Sequence, residues 1–365
     1  MFIKELELIN FRNYLNLKIE FLKGLNVLYG QNAQGKTNVL EAINFISTLK
    51  SHRTSKDREL IKWGKSKAYI KANLNKSLGD FTVEVLISEM SKKEAKLNGI
   101  KLSRASEVIG NANTVIFSPE DLRLLKDGPD VRRRFIDNEL NQIKPRYNYY
   151  LSLYNKVLLE RNNLIKKGID KSLLDVYDQQ LAEYGSFLIF NRIEFIKKLS
   201  IICKLLHRKI TNGNEELVIK YKGDIIDGEL KSIKERLYSL YKNSIEEDIK
   251  KGYTSKGPQR DDIEVFINGV DAKHYASQGQ QRTAALSLKL SEIEIIKGET
   301  GEYPILLLDD VMSELDLQRQ KYLLDSLMDV QIILTITSLN DLEKFSINRK
   351  RIFEVSNGNI QIKEF

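Results

Sequence analysis

The chain has one cysteine, Cys203, among 365 residues. That excludes an internal disulfide and suits a reducing compartment. Cys203 sits among Ile201, Ile202, Leu205 and Leu206, so a buried core thiol is expected rather than a nucleophile. Long apolar runs are missing too, since none approaches the ~18 residues a membrane helix requires, and no membrane association is expected. The opening MFIKELELINF has neither a basic leader nor the apolar segment of a secretory signal, and a cytoplasmic protein is expected. Internal repeats and low-complexity tails are also lacking.

Neither sign of charge has a large excess: 58 Lys and Arg stand against 50 Asp and Glu, a net +8. The surplus is informative only where it concentrates. Arg53, Lys56, Arg58, Lys62, Lys65 and Lys67 surround Trp63, and Arg132, Arg133 and Arg134 are adjacent. Such clusters either bind nucleic-acid phosphates by counterion release or form solvated basic faces, and charge alone does not choose. With 42 % hydrophobic and 30 % charged residues, the composition is that of a soluble globular protein long enough for more than one ordinary domain.

What is present is a phosphate-binding spacing. Gly30, Gln31, Asn32, Ala33, Gln34, Gly35, Lys36 and Thr37 form GQNAQGKT, a P-loop pattern. Its mechanism demands a strand before the loop and a helix after it, so that backbone N–H groups and the helix N-terminus face one anion. Leu25, Val27, Leu28 and Tyr29 supply the first; Val39, Leu40, Ala42, Ile43 and Ile46, at helical spacing, supply the second. Lys36 is expected to reach the terminal phosphates of ATP and Thr37 to ligate Mg2+.

The acid that completes such a site belongs at the end of another buried strand. Ile305 to Leu308 is an unbroken apolar run ending in Asp309 and Asp310. Asp309 is expected to hold Mg2+, and Asp310 to orient an attacking water, so Lys36, Asp309 and Asp310 are the expected catalytic set. A further apolar strand, Ile332 to Ile336, ends at Thr337 and Ser338 and is expected beside it. In SQGQQRTAALSLKL, Ser277 and Gln280 have capping-box spacing at a helix start, with Gly279 between them. This is either an ordinary helix cap or a second anion-directed helix terminus serving the nucleotide of another subunit.

Strand texture fills most of the first ~120 residues, and Asn98-Gly99 and Asn268-Gly269 mark hairpin turns. From Leu122 to Ile210 the periodicity is helical, interrupted near 167–171, followed by a strand at Leu217 to Tyr221 and a helix at Glu229 to Lys250. The expected layout is α/β: a discontinuous ATPase lobe of residues 1–121 and 251–365, with a predominantly helical lobe of 122–250 inserted.

In this order, the P-loop, SQGQQ and LLLDDVMSELD resemble the ABC-type ATPases of the SMC and RecF kind. The insertion is compact rather than a long coiled coil. LINFRNY, SHRTSKDRELI, FSPEDLRLLKDGPDVRRRFID and GPQRDD add to the likeness, and the RecF family is the one resembled from end to end. That resemblance implies an ABC/SMC-type P-loop ATPase head with an inserted compact α-helical lobe. It implies that Ser277, Gly279 and Gln280 contact the γ-phosphate across an ATP-dependent homodimer, and that Asp316 lies in the loop after the paired acids. It further implies binding to duplex and gapped DNA at single-strand/double-strand junctions, work with RecR and RecO in DNA repair, replication and the SOS response, and weak DNA-stimulated ATP hydrolysis. By the same implication, the arginines of GPDVRRRFID either fix a lobe interface or touch DNA.

Two positions depart from the usual pattern: Gln259 stands where histidine is frequent, and Asp310 where ABC enzymes carry glutamate. The shorter carboxylate fits slow turnover. The rival readings are a nucleotide-binding subunit of an ABC transporter, whose signature is richer in glycine, and a P-loop kinase, which has no use for SQGQQ at a dimer interface.

Overall fold

The computed structural model describes residues 1–168, 171–325, 329–339 and 350–363. It divides into two compact units, Met1–Asp121 with Glu292–Phe365, and Leu122–Ser291.

The first unit has two sheets. One is antiparallel, ordered Tyr14–Glu20, Phe2–Phe11, Lys67–Lys76, Gly79–Ser88, Glu94–Leu97 and Ile100–Lys101. Asn98 and Gly99 take φ of 51° and 78° at its last turn, the left-handed pair that an Asn-Gly hairpin requires. The other sheet is ordered Asn359–Lys363, Lys350–Ser356, Leu25–Tyr29, Ile332–Ile336, Ile305–Asp309 and Thr114–Phe117. Its strands pair in parallel except for the terminal hairpin. Every residue of Ile305–Asp309 and of Ile332–Ile336 is buried, which explains why these strands read as continuous apolar runs instead of alternating ones.

Helix Lys36–Thr48 lies between the sheets. Its Val39, Leu40, Ile43, Phe45 and Ile46 share one core with Leu6, Ile70 and Val85 of the antiparallel sheet and Leu307 and Ile333 of the parallel one. Burial on both sides fixes the helix axis, and with it the direction in which its N-terminus points.

The second unit holds helices Pro129–Ile143, Pro145–Lys167, Lys171–Ile210 and Leu230–Lys251. Helix Pro145–Lys167 ends at Gly168 with φ 69°; the rest of the expected interruption, 169–170, lies outside the described residues. Cys203 is buried, as its apolar neighbours predict.

The expected return to the ATPase lobe at 251 requires correction, because residues 251–291 group with the helices. The cause is pairing: strand Asp262–Ile267 runs antiparallel to Leu217–Lys222, from Asp262 opposite Lys222 to Ile267 opposite Leu217. Alternation at Ile263, Val265 and Ile267 reveals a strand but not its neighbour, and the neighbour decides the unit. The inserted unit therefore carries its own sheet, closed by the Asn268-Gly269 turn to Val270–Asp271.

Candidate nucleotide site

The strand order places the site. Ile332–Ile336 pairs with Leu25–Tyr29 on one side and Ile305–Asp309 on the other, bringing Tyr29, Ile336 and Asp309 to one carboxyl edge. Gly30 N–H donates to Ile336 O at 3.3 Å and starts the loop there. A Cβ on Gly30 would stand 2.3 Å from the Val355 carbonyl oxygen. Gly35 has φ 116°, and its Cβ would meet Asn13 Nδ2 at 2.5 Å and Tyr14 Oη at 2.8 Å. The two glycines of the motif are thus required by close approach at both ends of the loop.

Contacts distant in sequence hold the loop. Asn13 Nδ2 donates to Gln34 O at 3.0 Å, Tyr14 Oη to Gly35 O at 3.1 Å, and Asn357 N–H to Gln34 Oε1 at 2.6 Å. Gln31, Asn32 and Ala33 stay exposed at its crown. Lys36 Nζ donates to Gly30 O at 2.6 Å and Gln31 O at 2.9 Å. Burial lowers its pKa, and the nearby Asp310 and Asp309 work against that shift. A partly desolvated ammonium inside a loop of backbone donors is suited to a phosphate.

Thr37 Oγ1 donates to Asp309 Oδ1 at 2.9 Å, across 272 positions of sequence. Thr335 Oγ1 donates to the same oxygen at 3.0 Å and accepts from Asp310 N–H at 2.9 Å. One hydroxyl thereby ties both acids to the central strand. Asp310 takes φ 57°, which turns the chain at the sheet edge. Burial raises the Asp309 pKa, the Thr37 and Thr335 hydrogen bonds oppose this, and the adjacent Asp310 adds to it. A divalent cation would relieve that penalty. A hydroxyl and a carboxylate oxygen side by side fit Mg2+, which takes one or two protein oxygens and fills its octahedron from phosphate and water. Among the described residues no cluster of three metal-ligating side chains exists, so such a cation would depend on the nucleotide.

Glu41 of the P-loop helix is fully buried. Arg12 grips it twice, Nε to Oε2 at 2.8 Å and Nη2 to Oε1 at 2.7 Å, and Ser51 donates to it as well. Arg53 Nη1 donates to Asn38 Oδ1 at 3.0 Å and lies 3.7 Å from Glu41 Oε2. Lys62 Nζ donates to Asn13 O at 2.5 Å. Part of the basic cluster read as a possible nucleic-acid surface is therefore engaged around the P-loop helix.

In the second unit, Ser277 N–H donates to Gln280 Oε1 at 2.9 Å and Gln280 N–H to Ser277 Oγ at 3.2 Å, a reciprocal capping box at the start of helix Gln278–Thr300. Gln280 Nε2 donates to Glu215 Oε1 at 3.0 Å. Ser277 and Gly279 are exposed, and a Cβ at Gly279 would lie 4.0 Å from Ser277 Oγ. Asp316 Oδ1 accepts from Arg319 N–H at 2.9 Å at the start of helix Leu317–Asp325.

The arginine run is mostly structural: Arg132 is buried in a bidentate pair with Asp262, at 2.6 and 2.8 Å, and Arg133 donates to Asp261 O at 2.7 Å. Gln259 accepts from Tyr154 Oη and donates to Lys256 O at 2.5 Å, anchoring its loop. Burial pushes nearby Asp261 up to about 6, against the pull of Arg192.

Lys36, Thr37, Asp309 and Asp310 thus meet in the first unit, while Ser277, Gly279 and Gln280 stand in the second. A threonine hydroxyl from the P-loop helix sharing a proton with an acid from a separate strand is how P-loop nucleotidases assemble a metal site. With an antiparallel sheet on the other side of that helix, the class is the ABC/SMC-type ATPase head.

Residues 2–361 match the family described as RecF/RecN/SMC N terminal domain. The chain is 47 % identical over 362 residues to the DNA replication and repair protein RecF of Clostridium perfringens (strain SM101 / Type A), covering 99 % of this chain and 100 % of that one. A solved structure of the recombination mediator protein RecF with ATP, in the RecFOR pathway, superposes with a TM-score of 0.93 at 39 % identity, covering 100 % of this chain and 98 % of that one. The Smc head domain from Pyrococcus furiosus, at 17 % identity and a TM-score of 0.56 over 99 % of this chain and 96 % of that one, shares the fold. The chain belongs to the RecF family, which sets aside the transporter and kinase readings.

Proposed function

We propose that the chain is an ATP-controlled DNA clamp of recombinational repair and replication. The observation that carries this reading is the Thr37–Asp309 hydrogen bond beside the P-loop lysine, which supports a Mg-ATP site in a chain of this family. Lys36 and the backbone from Gly30 to Gly35 hold the phosphates; Thr37 and Asp309 hold Mg2+, which would neutralise phosphate charge. Asp310, where the chain turns at the strand end, orients the water for hydrolysis, and its short reach keeps turnover slow.

The exposed capping box at Ser277, with Gly279 and Gln280, receives the γ-phosphate of a second copy, so ATP joins two protomers and hydrolysis separates them. The dimer binds duplex DNA near single-strand gaps, and DNA stimulates the weak ATPase. Support for DNA comes from the relatives, named as DNA replication and repair proteins. The solved relative is named for the RecFOR pathway, and RecO and RecR are the partners proposed on that ground, in loading recombinase onto strands coated by single-strand binding protein. Among the described residues no helix is long and apolar enough to cross a membrane, in keeping with work in the cytoplasm.

Sedimentation with ATP tests the assembly. Ser277→Arg should bind ATP with unchanged affinity yet stay monomeric where the wild type dimerises. An ATP-dependent dimer of the variant would overturn the role given to Ser277.

A further inference from the structure

Trp63 is the chain's single tryptophan, and it is 98 % exposed. Its exposure is not that of a loose loop. Lys62 N–H donates to Asn10 O at 2.8 Å, Lys65 N–H closes the turn onto Lys62 O at 2.9 Å, and Glu89 N–H donates to Ser66 O at 3.1 Å. Gly64 follows Trp63 with φ 77°, as a tight turn requires, and apart from Gly64 itself and its chain neighbours no atom of the described residues lies within 4 Å of where its Cβ would be. The indole therefore stands at the apex of a turn hydrogen-bonded on both flanks, surrounded by open space.

The Glu89–Ser66 bond also brings up a second loop, which carries Met90 at 91 % exposed. Residues 62–67 and 89–93 present Lys65, Lys67 and Lys92 to solvent against the exposed Glu89, and the next residue, Glu94, is paired with Lys101 and also feels Lys67. Among the described residues no ion pair within 4 Å involves Lys65, Lys67 or Lys92, whereas Lys93 pairs with Asp57 at 2.9 Å. Lysines near an uncovered aromatic ring on a hydrogen-bonded turn are the two elements of a single-strand contact: cations for the backbone and a flat face for a base.

We propose that the Trp63 turn binds single-stranded nucleic acid, its indole stacking on one unpaired base while Lys65, Lys67 and Lys92 take the flanking phosphates. The inference rests on the DNA-binding reading above and deepens it. In a duplex the base faces are already stacked on one another, so the turn selects the unpaired strand of a gap. A membrane surface would call for a wider apolar face than Trp63 and Met90 provide between charged neighbours.

As the lone tryptophan, Trp63 reports on itself. The full-length protein is titrated with oligo-dT, a gapped duplex and a fully paired duplex, and separately with vesicles of anionic phospholipid, while indole emission is followed. Oligo-dT and the gapped duplex should quench it; the paired duplex and vesicles should not. Trp63→Ala should weaken oligo-dT binding by roughly five- to 150-fold, the range for losing one base–aromatic stack. Trp63→Phe should recover most of that loss, and ATP turnover and paired-duplex affinity should stay unchanged in both. Lys65→Ala should lower the salt slope for oligo-dT by about 0.7, one phosphate contact. Oligo-dT binding with unchanged emission, Trp63→Ala at wild-type affinity, or a response to vesicles alone overturns the inference while leaving the clamp standing. A wild type that binds no DNA at all overturns both.

Discussion

Thr335 is 1 % exposed, and its hydroxyl makes the two hydrogen bonds that seat Asp309 and Asp310. Thr335→Val keeps the shape and removes only that group. The carboxylate loses a charge-assisted hydrogen bond, worth about 1.5–3 kcal/mol, and the Asp310 N–H loses its acceptor at a cost of about 1 kcal/mol or more. The sum is about 3 kcal/mol. For a unit of this size each kcal/mol moves Tm by about 2–4 °C, so the nucleotide-free variant should melt about 6–12 °C early. Thr335→Ser keeps the hydroxyl and loses one buried methyl, a cost of about 1 kcal/mol. Differential scanning calorimetry without nucleotide separates the two, since bound ligand would mask the loss. If valine melts no earlier than serine, the hydroxyl does not seat the acids and the account of this strand end is wrong.

Three further outcomes follow from the same site. Lys36→Met should weaken ATP binding by about 100-fold, the loss of two charged phosphate contacts, and abolish ATP-dependent dimerisation; isothermal titration at wild-type affinity would contradict it. Asp310→Asn should bind ATP normally, release phosphate about 100-fold more slowly and hold the dimer longer, whereas wild-type turnover in a phosphate-release assay would rule out its role in activating water. Glu41 supplies a pH test: burial raises its carboxyl, but hydrogen bonds from Arg12 and Ser51 prevail and hold it below the ordinary value of 4.5. A depressed folded pKa gives stability that is complete above that value and lost as pH falls through the folded one. The Tm gap between wild type and Glu41→Gln should therefore hold steady from about pH 8 to about pH 6 and close in more acid solution; a gap that widens on acidification would reverse the sign.

What was legible in the sequence was whatever the mechanism writes locally. Gly30 and Gly35 are forced by approaches of 2.3 and 2.5 Å, so their spacing appears as a motif. Asp309 ends a strand buried throughout, and such strands announce themselves as apolar runs. The Asn-Gly turns at 98 and 268 are equally local. What stayed hidden depends on pairing across long separations. Thr335 meets Asp309 only because Ile332–Ile336 is inserted between the two motif strands, and Asn13 and Asn357 reach Gln34 from the turns of two hairpins. Basic residues were visible as a cluster, but nothing in their spacing distinguishes Arg53, engaged with Asn38 and Glu41, from Lys65 in solvent. The block LINFRNY carries a family likeness, but nothing in its spacing shows that Arg12 clamps a buried glutamate of the P-loop helix.

The most direct test of the central claim is binding to a gapped duplex with and without ATP across a salt series. The account predicts tighter binding with ATP and an affinity that falls steeply as salt rises, the mark of phosphate contacts releasing counterions. Binding that is absent, or the same with and without ATP, would contradict an ATP-controlled clamp on DNA and leave a P-loop ATPase whose partner is a protein.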